Sequence, residues 1–538
     1  MNDKSPPCNV LMIYPRFSAE SFWNYPEVCE LVGARYPAAP LGLITVAALL
    51  PPEWKVRLVD RNTEELQDED IAWADLVMTG GMITQQPDTL DLIQRAHSKG
   101  KPVVVGGPDP TSSPHVYDSA DFKVLGEAEG ILRELVDAWT KGQKSGVFTA
   151  PKFQVDLTST PIPRFDLLKR EKYLYIGLQF SRGCPFTCEF CDIIELYGRV
   201  PRTKTTGQVL AELDALYALG YRGHVDFVDD NLIGNKKVVK AFLAELRDWQ
   251  VARGFPFEFS TEASINLAED SELLELLKQA NFFLVFIGIE SPDPDTLVAT
   301  KKRQNTRRDM VTSIHKIYSY GMAVTAGFIV GFDSEKHSVA DAMADFIEAA
   351  AIPVCMVGLL YALPNTQLTR RLEREGRLHP GHDIMSTGDQ CTGGLNFNPL
   401  RPLRNVLDDY RRILLRIYDP VAYASRINRL VTMLDRSGRP PDLPERGNRR
   451  KAATIETVRK TLGEITELRN VFWPTFLNCA KTNPLALRYV VMLMAMYLHL
   501  GPYSRHVMYT IDRRIDELDR QARTTRRLRY QSSVLTKV

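Results

Sequence analysis

Residues 181–193 read SRGCPFTCEFCDI, and the three thiols in this stretch decide how the chain is read. Cys184, Cys188 and Cys191 are separated by three and then two residues, with Phe190 just before the last. Three of the eight cysteines therefore lie within eight positions. Soft thiolates packed this closely suit a metal or an iron–sulfur cluster. A structural zinc site ordinarily recruits a fourth Cys or His from a second pair, and the nearest later candidates, His224 and Cys355, stand alone. A dithiol redox pair needs only two cysteines, in another context. Three ligands for four irons leave one iron open, which is what a catalytic cluster requires.

The surroundings of the thiols alternate between strand and helix. Apolar strand patterns run through YIGLQFSRG (175–183), HVDFVDD (224–230), FEFSTEA (257–263), FLVFIGIES (283–291), VTAGFIVGF (324–332) and VCMVGLLYALP (354–364). Helical runs such as QVLAELDALYALG (208–220) and DSELLELLKQAN (270–281) separate them. Six such repeats predict a (β/α) barrel or partial TIM barrel, in which chemistry sits at the C-terminal strand ends. The cysteines follow its first strand directly.

Upstream, a second alternating block predicts a doubly wound, Rossmann-like parallel sheet. Its strands are NVLMIYP (9–15), KVRLVD (55–60), ADLVMTGG (74–81), PVVVGGP (102–108) and FKVLGEAE (122–129), with helices at LGLITVAALLP (41–51) and QPDTLDLIQRAHSKG (86–100). Ligands of such sheets bind outside the carboxyl ends of the strands. No GxGxxG follows the first strand, which disfavours a dinucleotide. The proline-bearing stretch TAPKFQVDLTSTPIPRFDLL (149–168) reads as a connector, and beyond TGGLNFNPLRP (392–402) the chain becomes helical and Arg-rich. The α/β chain thus divides into a first domain at 1–145, a linker at 146–175, a barrel at 176–375 and a mostly helical C-terminal domain at 376–538.

Composition sets outer bounds. The 538 residues carry a net charge of +1, so no global field argues for nucleic acid as partner. The N-terminal stretch has no basic region or small-residue cleavage site, so a signal peptide is not expected. The longest apolar run, Tyr489–Leu500, is interrupted by His499 and is shorter than the roughly 20 residues of a spanning helix. It reads as a buried helix, with an interfacial helix as the alternative. Scattered remaining cysteines fit a reducing cytoplasm.

The spacing Cys184-x3-Cys188-x2-Cys191, with Phe190 in the aromatic slot and a (β/α) block around it, resembles the radical S-adenosylmethionine (SAM) superfamily. The resemblance implies that the three thiolates bind a 4Fe–4S cluster whose fourth iron is chelated by SAM, and that reductive cleavage yields a 5′-deoxyadenosyl radical. It also implies SAM contacts at Asp229, Asp230 and Asn231, at Glu262, at Gly288 and Glu290, and at Gly327 and Gly331. The preceding domain resembles the cobalamin-binding domain of B12-dependent radical SAM enzymes, on PLGL (40–43), Gly80-Gly81-Met82, Gly106-Gly107 and LGEAEG (125–130). That likeness implies cobalamin contacts at Leu41, Gly42, Asn62, Gly80, Gly81, Met82, Gly106, Gly107, Gly126 and Glu127. The chain departs from the Asp-x-His-x-x-Gly pattern of cobalamin mutases, because DRNTEE (60–65) has neither histidine nor glycine. Cobalamin without a histidine ligand on cobalt is therefore expected.

Two such cofactors together imply radical methylation of an unactivated carbon, with methylcobalamin as methyl source and a low-potential donor such as ferredoxin or flavodoxin supplying electrons. The resemblance assigns no catalytic side chain. The C-terminal region, with TGGLNFNPL and its Arg-rich helices, resembles the subgroup containing the hopanoid C-2 methylases. A polycyclic lipid substrate and peripheral contact with the inner membrane face are the corresponding expectations, with a tetrapyrrole, a natural-product scaffold or a peptide as the alternative substrates. The alternatives are a B12 radical SAM enzyme that rearranges or cyclises without methyl transfer, and a cobalamin-binding regulator. A tRNA methylthiotransferase would carry more N-terminal cysteines than Cys8 and Cys29.

Overall fold

Fifteen strands, all but the short pair β9 and β10 running parallel, organise the described part of the chain. A computed structural model describes residues 7–385, 391–392, 394–438 and 457–535. In chain order the strands are β1 (Asn9–Tyr14), β2 (Tyr36–Ala38), β3 (Lys55–Asp60), β4 (Leu76–Gly80), β5 (Val103–Gly106), β6 (Phe122–Leu125), β7 (Gly146–Thr149) and β8 (Tyr173–Leu178). They continue with β9 (Ser181–Arg182), β10 (Arg202–Thr203), β11 (Gly223–Phe227), β12 (Phe257–Glu262), β13 (Phe282–Glu290), β14 (Ala323–Val330) and β15 (Cys355–Leu359).

The first sheet has the order β3-β1-β4-β5-β6-β7. Its central strands are apolar throughout because both faces are covered. Val10 and Met12 face one core with Ala47, Leu76 and Leu132, while Leu11 and Ile13 face another with Ile71, Leu92 and Val105. Strand order reverses between β1 and β4, which opens a crevice at their C-terminal ends. The sequence patterns missed β7, which opens the stretch read as a linker and pairs with β6.

The second sheet has the order β15-β14-β13-β12-β11-β8-β2 and curls into a partial barrel. Its residues alternate: Val285, Ile287 and Ile289 of β13 are buried against helices, whereas Leu284, Phe286 and Gly288 are half-buried on the other face. Helix ends are fixed locally, as where Thr205 and Gln208 form a capping box at the start of Thr206–Ala218. The seventh strand was not expected. Tyr36–Ala38 precedes the first domain's helix Leu41–Leu49, yet pairs in parallel with β8 through Tyr36↔Tyr173 and Ala38↔Tyr175. One strand from the first domain's segment of chain thus completes the edge of the barrel.

The C-terminal helices share the barrel's core. Leu403–Ile417 packs on β15, and the long helix Leu487–Leu535 packs both on it and on Pro26–Leu31, the helix that leads into β2. The long helix therefore bridges the two edges of the open barrel. Tyr489, Val490, Leu493, Met494, Tyr497 and Leu500 are all buried, so the apolar run is core. Pro484–Thr525 is long and apolar enough to span a membrane, but 61% of its most apolar window is buried inside the fold.

A fully buried arginine on the helix Pro420–Met433 ties it to the end of Leu403–Ile417 and to the segment leading into β15. Arg426 donates to the carbonyls of Ile352 (2.8 Å) and Ile417 and pairs with Glu348 at 2.5 Å. Arg426→Met would strand those carbonyls and is expected to cost about 3 kcal/mol, measured by denaturant unfolding. A cost near zero would show that the helices do not depend on this anchor.

Candidate active site

The cysteine loop starts from a backbone that only glycine tolerates. Gly183 has φ +94°, and a Cβ there would lie 2.9 Å from the Gly198 carbonyl oxygen. Strands β9 and β10 pair as a two-residue ribbon that brackets the loop, and Cys184 N–H donates to Gly198 O at 3.2 Å. Outer contacts hold the loop down: Glu189 pairs with Arg371 and Glu195 with Arg370, each at 2.7 Å. Phe190 is half-buried, its ring 5.7 Å from that of Phe332.

The thiols are free, and two receive side-chain amide donors: Asn231 Nδ2 at 3.9 Å from Cys184 Sγ, and Gln304 Nε2 at 3.6 Å from Cys188 Sγ. Burial pushes Cys184 up, opposed by the Phe186 N–H, and pushes Cys191 well up. Both of these thiols therefore favour the protonated form in the ligand-free protein, and a metal bound to them would displace those protons. Among the described residues, no three His, Cys, Asp or Glu side chains converge where one ion could sit. Three free thiols on one loop, each available to a separate iron, fit a cluster.

The next strand ends support the loop. Asp229 is buried and accepts from Phe180 N (3.0 Å), Ser181 Oγ (2.5 Å) and Ser181 N. Asp230 accepts from Gly183 N at 2.9 Å, and Asn231 Oδ1 from Ser264 N at 3.1 Å. The residues expected at SAM thus also hold the backbone from which the thiols hang. Glu262, at the end of β12, is open at its surface yet crowded by protein, and desolvation, with Asp226, Asp230 and Asp229 nearby, pushes it up to about 8. Burial likewise pushes Asp230 up to about 7 and Asp226 and Asp229 up to about 6.

Glu290, at φ +64°, pairs with Lys302 at 2.7 Å. Gly288 is small because of that pair: a Cβ there would lie 2.4 Å from Glu290 Oε1 and 2.9 Å from Lys302 Nζ. Lys302 also feels Cys188 and Cys191, which places a cation beside the cluster loop. The sequence reading missed Lys302 and Gln304, since TKKRQN (300–305) has no pattern of its own. A Cβ at Gly327 would lie 3.1 Å from the Phe286 ring, whereas Gly331, at φ +107°, gives its N–H to Glu335 at 3.0 Å.

Facing this site are the strand ends of the first sheet. A Cβ on Gly80 would overlap the Gly106 carbonyl, and one on Gly107 would lie 3.3 Å from Gly81 N. One on Gly81 would lie 2.2 Å from Gln85 Oε1, and one on Gly126 3.2 Å from the Ala150 methyl. A Cβ on Gly42 meets nothing within 4 Å, so packing does not require glycine there. Packing within the protein thus accounts for the other four glycines of this cradle, while Gly42 and Met82, 47% exposed, leave an open surface that fits a large cofactor. Two of the expected contacts have other partners: Asn62 binds Asp60, the Pro15 carbonyl and Phe17 N–H, and the Glu127 carboxylate is taken by Arg182 and Arg202.

The two faces adjoin. An ideal Cβ on Gly177 of β8 would be 3.4 Å from Val228 and 3.7 Å from Leu41. Trp23, 41% exposed on the segment between β1 and β2, lies with its ring 5.6 Å from that of Phe286. Val228 is 37% exposed, so apolar groups left open line the junction.

Comparison with known proteins follows the same division. Residues 31–136 match the B12 binding domain, residues 178–347 the Radical SAM superfamily, and residues 366–513 a domain of unknown function (DUF4070). The uncharacterized methyltransferase sll1242 of Synechocystis sp. is 42% identical over 95% of this chain and 95% of its own. The hopanoid C-2 methylase of Rhodopseudomonas palustris is 35% identical over 92% of this chain and 93% of its own. The bacteriochlorophyllide d C-12(1)-methyltransferase of Chlorobaculum tepidum is 28% identical over 63% of this chain and 75% of its own. Among solved structures, the cobalamin-dependent radical enzyme OxsB shares the fold at TM-score 0.59 and 16% identity, over 94% of this chain and 81% of its own. The methyltransferase TsrM from Kitasatospora setae does so at 0.58 and 18%, over 75% of this chain and 88% of its own.

Two outcomes follow from this geometry. Gly42→Leu should fold normally but retain cobalamin about tenfold more weakly, read by equilibrium binding; unchanged affinity would remove Gly42 from the cradle. A carboxyl with a raised folded pKa binds more protons in the native state, so it opposes folding increasingly as pH rises through the window between its two pKa values. That window is 4.5 to about 8 for Glu262 and 3.8 to about 7 for Asp230. The melting temperature of the cofactor-free protein should therefore fall from about pH 5 to 8, and Glu262→Gln should flatten the fall. An unchanged slope in the variant would contradict the assignment.

Proposed function

This chain belongs to the B12-binding radical SAM methyltransferases, and from that membership we propose that it methylates an unactivated carbon of a polycyclic, hopanoid-like lipid. It is a cobalamin-dependent radical SAM C-methyltransferase that uses a 4Fe–4S cluster, SAM and cobalamin. The substrate assignment rests on one observation: likeness to the hopanoid C-2 methylase continues through the C-terminal helices, whereas the tetrapyrrole methyltransferase matches a much smaller share of the chain. Those helices close the open side of the barrel and so bound the space a substrate can enter.

When bound, the cofactors supply a 5′-deoxyadenosyl radical and a transferable methyl group. The chain's residues bind, orient and exclude. Cys184, Cys188 and Cys191 would hold three irons, leaving the fourth to SAM. The Lys302 ammonium, already beside the thiols, suits the SAM carboxylate. Asp230 and Glu262 suit its ammonium and ribose, and a bound cation would relieve the cost of ionising both acids. Gly42, which packing leaves open, would let a corrin approach backbone, and the glycines at 80, 107 and 126 hold the strand ends beside it in place. Trp23, Phe286, Val228 and Met82 give the junction apolar walls that exclude water from a reactive carbon radical.

The electrons come from a low-potential donor such as ferredoxin or flavodoxin. Peripheral contact with the inner membrane face would deliver a lipid to the barrel, with exposed arginines of the C-terminal helix meeting anionic headgroups. Mass spectrometry of total lipids from cells with and without this protein tests the substrate class. A polycyclic lipid heavier by one CH2 should appear only with the protein. Identical lipid profiles, with the methylated species found among tetrapyrroles or peptides, would overturn the assignment.

A further inference from the structure

The arginines of the ribbon around the cysteine loop stand directly opposite one another. Arg182 of β9 and Arg202 of β10 are cross-strand partners, an arrangement that repels unless it is neutralised. Neutralisation comes from the other domain. Glu127 and Glu129 follow β6 of the first sheet: Arg182 pairs with Glu129 at 2.6 Å and Glu127 at 3.1 Å, and Arg202 with Glu127 at 2.8 Å. Glu127 is buried and the other three are partly buried, the four side chains ranging from 3% exposed for Glu127 to 17% for Arg202. Arg202 also donates to the carbonyls of Val155 (2.9 Å), in the connector, and Tyr197 (3.0 Å), in the cysteine loop. Burial pushes Glu129 up, but the Arg182 guanidinium more than offsets it, so the carboxylate stays charged.

We propose that this quartet is the electrostatic latch that registers the cobalamin domain against the cluster loop, with Arg182 and Glu129 as positioning residues for methyl transfer between the cofactors. The ribbon is charge-balanced only when the loop after β6 is docked. Arg182 is two residues from Cys184, and Glu127 is next to Gly126 of the glycine cradle. A shift of either domain would therefore carry the glycine cradle and the cysteine loop apart as units and expose the partner charges. Breaking the pair leaves each cofactor's own contacts intact but loosens their mutual placement. The inference rests on the two-cofactor reading and is independent of the substrate.

The test uses the full chain loaded with iron, sulfide and cobalamin, as wild type, Glu129→Gln, Arg182→Gln and the exchanged pair Arg182→Glu with Glu129→Arg. In the single variants, cobalamin affinity, iron content and SAM cleavage to 5′-deoxyadenosine should stay within about twofold of wild type, while SAM-dependent methylation of reduced cobalamin falls about tenfold or more. Hydrogen exchange across residues 126–130 and 181–183 should accelerate in both single variants, and the exchanged pair should recover part of both losses. Methylation and exchange rates unchanged in the single variants would overturn the latch. So would losses that merely track iron content, which would mark a folding role. Wild-type protein unable to methylate cobalamin would overturn the two-cofactor reading itself, and the latch with it.

Discussion

Two parallel sheets must present their C-terminal strand ends to one another, and the pairing of β2 with β8 imposes that constraint. A strand of three residues adds little binding energy, but its backbone hydrogen bonds are directional and fix both position and rotation of the first domain on the barrel. Polar contacts reinforce it, including the buried bond from Tyr173 OH to Asp60 at 2.8 Å, between β8 and the end of β3. The cysteine loop and the glycine cradle then face each other. Had the domains been joined only by residues 150–172, free rotation about that connector would be the ordinary expectation.

Within this frame the cluster loop is held from three sides. Asp229 and Asp230 bind its entry, Gln304 and Lys302 approach from the turn after the helix Pro294–Ala299, and Arg371 grips Glu189 from outside. The arrangement collects carboxyls, among them Asp230 and Glu262, whose raised pKa values favour the protonated form, and a cation bound beside them would favour their ionisation.

Much of this was legible in the sequence because the signals are local. The thiol spacing, the six barrel strands and the apolar run at Tyr489–Leu500 each fall within a short window. What escaped was set by distant partners. Tyr36-Pro37-Ala38 is too short and too proline-marked to show periodicity, and its partner strand begins at Tyr173. Lys302 and Gln304 acquire meaning only through Glu290 and Cys188. Glu127, read as a cofactor contact, gives its carboxylate to two arginines that lie far along the chain. Trp23 gave no sequence signal, because only the fold brings it to Phe286.

Together these features set the cysteine loop and the glycines of the first sheet beside an apolar junction in a cobalamin-dependent radical SAM methyltransferase. The most direct measurement uses SAM carrying a trideuterated methyl group, supplied to the reduced, fully loaded protein with a lipid extract. The account predicts a product that retains all three deuterium atoms, formed together with 5′-deoxyadenosine. Deoxyadenosine formed alongside an unlabelled, rearranged product would contradict it.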